Sequence, residues 1–262
     1  MVSKRAKEET SKRKVYTAPA LEKGLDILEL LASEANGLSI TEIVSSLNRS
    51  VGELFRMLVV LEQRGYVYLA PGSDKYVLTL RMFSLAHRFP PVKLLTRVAG
   101  EVMLRLSYNI EQSCHLVIYY EGKGHVVVQQ DSPSARIFSV RLGAEAPLLH
   151  SCSGHVLLAF SGKYQREQML NRADNIETDM DFDAMLDKIK EQGYENVKSA
   201  HVHGVRDVGY PIFDYTENVI AVLVVPFVAY SDDSHDMNME EAQKRVKDAA
   251  FEISSSLGYQ LT

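Results

Sequence analysis

Between residues 39 and 65 the apolar positions recur at helical spacing in two short runs. Each run opens on a serine with a glutamate three residues on, Ser39 with Glu42 and Ser50 with Glu53. At that spacing a serine oxygen and a carboxylate satisfy orphan backbone amides reciprocally, so each pair marks a helix start. Leu47-Asn48-Arg49 is the tight turn between them. Beyond it, Val51, Leu54, Leu58 and Leu61 predict an inward stripe, with Gly52, Glu53 and Arg56 on the opposite side and Arg49 just before the cap. Gly65 stops this helix. Two short strands at 66–69 and 75–78, joined by the turn Pro71-Gly72-Ser73-Asp74, predict a hairpin. Upstream, Leu21, Leu25, Leu28 and Ala32, with Leu31 at the edge, predict a first helix over 19–33 on which the other two pack.

A further helix over 80–88 ends at Phe89-Pro90-Pro91, where proline restricts the residue before it, and another covers 92–106. A long helix there is a natural place for two chains to meet. From Glu111 the period changes. Stretches 115–120, 125–130, 137–142, 205–213 and 219–227 are short, β-branched and bounded by turn residues, so they predict strands. Helices are predicted at 153–160, 163–170, 181–192 (Phe182, Met185, Leu186 and Ile189 inward) and 239–257 (Ala242, Val246, Ala250, Ile253 and Leu257 inward). Strands with helices on their faces make an α+β domain with a central, mainly antiparallel sheet. The expected division is a disordered basic arm at 1–16, a helical module with hairpin at 17–80, linker helices at 81–106 and the larger domain at 107–262.

Charge separates the two parts. Of the 262 residues, the first 89 hold thirteen Lys and Arg against ten Asp and Glu, and the remainder sixteen against twenty-four. Phosphate would therefore meet the amino-terminal part, and one copy would bind weakly, which favours a doubled chain. Six of the first fourteen residues are Lys or Arg, suited to added phosphate contacts or simply to solubility. Helix, helix, tight turn, polar-faced helix and charged hairpin, in that order, make a winged helix-turn-helix. Its groove-facing candidates are Arg49, Ser50, Gly52, Glu53 and Arg56, with Lys75 on the wing touching the phosphates of double-stranded DNA. The plainer reading is a small bundle of capped helices with a solvated arginine. Two cysteines without a shared motif fit a reducing compartment. The longest apolar run, 219–230, is too short for a membrane span and contains Pro226, and no apolar core follows the charged head. The expectation is a cytoplasmic protein without a membrane partner.

The chain resembles the IclR family of bacterial transcriptional regulators across nearly its whole length. The match rests on the run from Ala20 to Leu28, on Phe55-Arg56-Met57-Leu58, on Leu61 with Gly65-Tyr66-Val67, and on Lys75-Tyr76-Val77-Leu78. Further blocks are Gly143 with the run from Pro147 to Gly154, Leu157-Leu158-Ala159, Gly193-Tyr194, Gly204-Val205-Arg206-Asp207, Pro211-Ile212-Phe213-Asp214 and Ile220-Ala221-Val222-Leu223. The resemblance implies a winged-helix DNA-binding domain, a linker helix and a GAF-like α/β effector domain, working as a homodimer or tetramer on an operator, with catabolic control as the family's usual task. It also implies a small-molecule effector held between the sheet and the Pro147 to His150 loop. Matching positions are Cys152 and Ser153 at a helix start, preceded by Ser151, then Val205 and Asp207 on one strand and Val224 and Pro226 on the last. Some relatives carry small hydroxyl residues at those last two positions, suited to a carboxylate. Here that wall is apolar, Asp207 would repel an anion, and His155 stands where a permanent cation is typical. A polyol, an aromatic compound or a metal-assisted ligand suits these residues better.

Two other chemistries are open to the same segment. His150, Cys152, His155, His201, His203 and Asp207 are metal-competent, and an extended 200–204 would turn His201 and His203 to one side, although no spacing specific for a metal site occurs. That alternative is a metal-responsive regulator; no other cofactor is expected. Ser151-Cys152-Ser153 before a helix start could also hold an activated thiolate beside His150 or His155, the mark of a thiol-dependent enzyme. The same amides equally bind an effector oxygen, and catalysis would leave the DNA module unexplained.

Overall fold

The computed structural model describes residues 17–86, 90–173, 182–200, 202–229 and 237–260. The expected basic arm and His201 lie outside them. The chain divides into two compact units, Met1–Phe89 and Pro90–Thr262.

The first unit runs α1 (Pro19–Ala32), β1 (Leu38–Ser39), α2 (Ile40–Leu47), α3 (Val51–Gln63), β2 (Val67–Leu69), β3 (Lys75–Leu78) and α4 (Arg81–Ala86). Its core is Ile27, Leu28, Leu31, Ile43, Leu54 and Leu58, closed by Val67 and Tyr76. Each such side chain, taken fully out of water, contributes about 1.5–3 kcal/mol before entropy is charged against it. The expected hairpin is present. Its β3 also pairs with β1, Leu38 opposite Tyr76, so the wing sheet has three strands in the order β1-β3-β2; a two-residue strand is too short for alternation to reveal. The stripe expected on α1 is corrected. Leu21 is 63% exposed and Leu25 is exposed too, while Ile27 and Leu31 are buried. Both flanks of α1 are apolar, so periodicity could not choose between them. Val51 is likewise half exposed, because the first turn of α3 projects past the packed bundle.

The second unit runs α5 (Pro90–Ile110), β4 (Cys114–Tyr120), β5 (Lys123–Gln130), β6 (Glu145–Pro147), α6 (Cys152–Phe160), α7 (Lys163–Leu170), α8 (Phe182–Gln192), β7 (Glu195–Lys198), β8 (Val205–Phe213), β9 (Val219–Val228) and α9 (Met239–Ser256). The strands form a sheet of order β6-β5-β4-β9-β8-β7 with every described pairing antiparallel. Because side chains alternate along each strand, the sheet has two apolar faces. Leu116, Val208, Tyr210, Leu223 and Val225 pack with α5 and α9 in one core. Val117, Val222 and Val224 share the other with α6 and α8.

Two expectations change here. Leu95, Ala99, Val102, Met103, Leu106 and Ile110 of α5 sit in the first of those cores, so this helix is part of the second unit and not a linker. The strand expected at 137–142 is a loop in which Ile137 and Leu142 are exposed, and the strand that pairs with β5 is β6. A β-branched composition there reflected local sequence, with no free ladder to join. Where β4 meets β5, Leu116 pairs with Val128 and Val117 with Val126, so Val127 is an extra residue in the ladder.

Candidate DNA-contacting helix and ligand face

In the first unit the turn before α3 is made by Asn48, whose φ of 49° closes α2 in the left-handed region. At the start of α2 the reciprocal cap is complete: Glu42 N–H donates to Ser39 Oγ at 3.4 Å, and Ser39 N–H to the Glu42 carboxylate at 2.7 Å. At the start of α3 the Ser50 N–H and hydroxyl donate to Glu53 Oε2 at 3.3 and 2.9 Å. Lys23 of α1 donates to the other oxygen, Oε1, at 2.7 Å. That ammonium, then the Ser50 groups, hold the Glu53 carboxyl down at about 2. Glu53, expected on the open face, is therefore half-buried and tied to α1 through one oxygen and to its own cap through the other. Gly52 and Arg56 are exposed, and the Arg56 Nε–H donates back to the Gly52 carbonyl at 3.2 Å. Arg49 and Ser50 are exposed beside them, together with Val51 and with Phe55, which is 48% exposed. Lys75 is half-buried on β3 opposite Ser39, near enough to Glu42 for its charge to stabilise that carboxylate. The arrangement is a rigidly capped helix presenting a mixed apolar and guanidinium surface.

In the second unit the predicted ligand residues converge on one side of the sheet. Val205, Asp207 and Gly209 alternate along β8; Asp207 stands opposite Pro226 and Gly209 opposite Val224, in register. The Val224 rung continues to His115 of β4 and Gln129 of β5 on one side and, through Gly209, to Glu195 of β7 on the other. Directly paired residues share a face, so these five positions form a row beneath α6. Gly209 lies directly under Cys152: a Cβ there would stand 2.7 Å from the Cys152 Sγ, which would have to shift. Ser151 caps α6, accepting from Gly154 N–H at 3.1 Å and donating to the Pro147 carbonyl at 2.7 Å, so its hydroxyl is spent on local structure. Ser153 is buried behind it.

Cys152 is buried over the sheet, and burial first, then the charges of Glu195 and Asp207, push its thiol well above the ordinary range, the opposite of an activated nucleophile. His155 is also buried. Its Nδ1 lies 2.9 and 3.1 Å from the two Glu195 oxygens and its Nε2 2.9 Å from the Leu149 carbonyl, all acceptors, so the ring is an imidazolium with both nitrogens donating. Burial opposes that charge, but the Glu195 hydrogen bond and charge and the Leu149 carbonyl outweigh it and the pKa is raised. An imidazolium so committed does not ligate metal. His150 and His203 are exposed and apart from it, and among the described residues no three His, Cys, Asp or Glu side chains gather as a cation site. The sequence reading missed Glu195, Lys23 and His115. Only His115 left a trace, as a polar residue between the apolar Cys114 and Leu116 on a predicted strand.

A winged helix-turn-helix followed by a separate α/β unit defines a two-part regulator of transcription. The model of the bacterial transcriptional regulator IclR C-terminal domain matches residues 92–255, and that of the IclR helix-turn-helix domain residues 20–71. The chain belongs to the IclR family of DNA-binding transcriptional regulators. It is 29% identical over 243 residues to the HTH-type transcriptional regulator KdgR of Escherichia coli K12, covering 89% of this chain and 90% of that one. The fold matches the crystal structure of Thermotoga maritima IclR with a TM-score of 0.73 at 24% identity, over 91% of this chain and 98% of that one. It also matches an IclR homologue of Microbacterium hydrocarbonoxydans, solved in complex with 4-hydroxybenzoate, with a TM-score of 0.73 at 20% identity, over 91% and 98%. KdgR is a regulator of transcription by its name. No described helix is long and apolar enough to cross a membrane.

Proposed function

We propose that this chain is a regulator whose grip on operator DNA is set by a small organic molecule bound on the α6-facing side of the sheet in the second unit. The observation that carries the DNA half is the surface of α3: Arg49, Ser50, Gly52 and Arg56 are exposed at its start, while Glu53 and Lys23 fix that start to α1. Arg56 is the guanine-reading candidate, Val51 and Phe55 supply apolar contact for thymine methyls, and Lys75 touches phosphate. For the ligand half, support comes from Val205, Asp207, Val224, Pro226 and Cys152 meeting on one face, and from the solved homologue's complex with an aromatic hydroxy acid. Two copies on DNA answer the weak charge of one, and the exposed Leu21 and Leu25 of α1 are an apolar surface that a second copy would cover. Binding-site selection from random duplexes, followed by titration of the selected site, tests the reading. Arg56→Ala is expected to weaken operator binding about tenfold to a hundredfold and to leave ligand affinity unchanged. Wild-type operator affinity in that variant overturns the assignment of α3.

A further inference from the structure

Among the described residues the ligand face carries a buried polar group with nothing to bond. His115 is 7% exposed, and its Nδ1, sealed from solvent, has no hydrogen-bond partner. Other polar members of its row are occupied: the Gln129 amide donates to Asp131, and Glu195 receives His155. Next to His115 on β9 is Val224, and along its own strand on the same face is Val117, both apolar. An unpaired buried nitrogen forfeits the water it bonded in the unfolded chain, a standing cost that a protein keeps where some other group comes to collect the bond. Burial also pushes the imidazole down to about 4, so at neutral pH it is uncharged, with one donor and one acceptor. Such a ring attracts no anion by charge. The group that matches it in either tautomer is a hydroxyl, which donates and accepts.

We infer that His115 is a ligand-contacting residue of the second unit, its Nδ1 hydrogen-bonding a hydroxyl of a small organic effector whose apolar part lies on Val224. The inference rests on the proposed function and adds to it the residue and the ligand class. It differs from a packing role in sign: a histidine needed for packing destabilises when removed, whereas an orphan removed by a similar-sized apolar side chain leaves the free protein as stable or more so.

The full-length chain, His115→Leu and His115→Asn are melted with and without millimolar 4-hydroxybenzoate, benzoate and D-gluconate. Expected is an unliganded His115→Leu melting at or above the wild type, and a hydroxyl-bearing probe that raises the wild-type melting temperature. In His115→Leu that probe loses at least about tenfold in affinity, a loss His115→Asn partly restores. Equal shifts in wild type and His115→Leu overturn the inference, and so do benzoate and 4-hydroxybenzoate acting alike. Failure of both variants to melt cooperatively assigns the ring to packing and overturns it as well. Silence of the wild type to both hydroxyl probes overturns the ligand class. A probe that ignores His115→Leu yet still releases operator leaves the proposed function standing without this residue. A probe that needs His115 but does not alter operator binding keeps the residue and removes the proposed function.

Discussion

His155 and Glu195 meet out of water, joining α6 to β7 with the Leu149 carbonyl as third partner. Neither residue type predicts the other from sequence: they are forty positions apart, and His155 read alone as a metal ligand or general base. Its raised pKa makes the contact a measurable function of pH. An unfolded histidine releases its proton near its ordinary value of 6.5, and the folded one only above it. The stabilisation is therefore fully present below about 6.5 and is lost as pH rises through the folded value. Denaturant midpoints should fall across that window in the wild type. Glu195→Gln should flatten the dependence and cost about 3 kcal/mol at acidic pH. A variant that keeps the wild-type slope would place the titration on another group. Cys114 and Cys152 are both buried, and burial pushes Cys114 up to about 12, so both thiols should resist alkylating reagents until the chain unfolds.

Elements whose own sequence carries a start, a stripe and a stop were legible. α7 fell on its expected bounds, and α3, α6 and α9 came within a residue or two, each with a cap or a strong period. What was hidden depended on partners. β7 is four residues that pair, among the described residues, with β8 alone, and β1 exists because β3 offers an edge. Which face of α1 turns inward is decided by α3, not by α1. Close approach was equally invisible: a Cβ on Gly154 would stand 2.1 Å from the Leu148 carbonyl oxygen, so α6 reaches the 147–149 turn only because residue 154 has no side chain. Alanine normally favours a helix interior by about 1 kcal/mol over glycine. Here Gly154→Ala should instead lose about 1–3 kcal/mol, since backbone must move to admit the methyl. A melt at or above wild type would show that the turn yields freely.

At the scale of the whole chain charge separates a mildly basic amino-terminal part from an acidic remainder, and the two compact units divide at the same place. The 90–106 segment expected as part of a linker is core of the second unit, because the apolar stripe of α5 meets α9 and the sheet. Operator binding should carry the salt dependence of phosphate contacts. Lys75→Ala should weaken it for all sequences alike and reduce the slope of log affinity on log salt by about one per bound copy, whereas Arg56→Ala should relax base preference. Leu25→Glu places a charge on the exposed flank of α1. Sedimentation should show self-association weakened about tenfold or more, with operator affinity falling in parallel; an unchanged mass would put the subunit contact elsewhere. Finally, the surplus valine where β5 runs beside β4 matters for how this domain tolerates change of length. Val126 and Val128 already hold their rungs, and Val127 packs with Val128 towards α5 and α9. Excising it would close the ladder while Gln129 stayed alongside His115. A single-codon deletion, which elsewhere in a strand turns every later side chain inside out, is absorbed here within three residues.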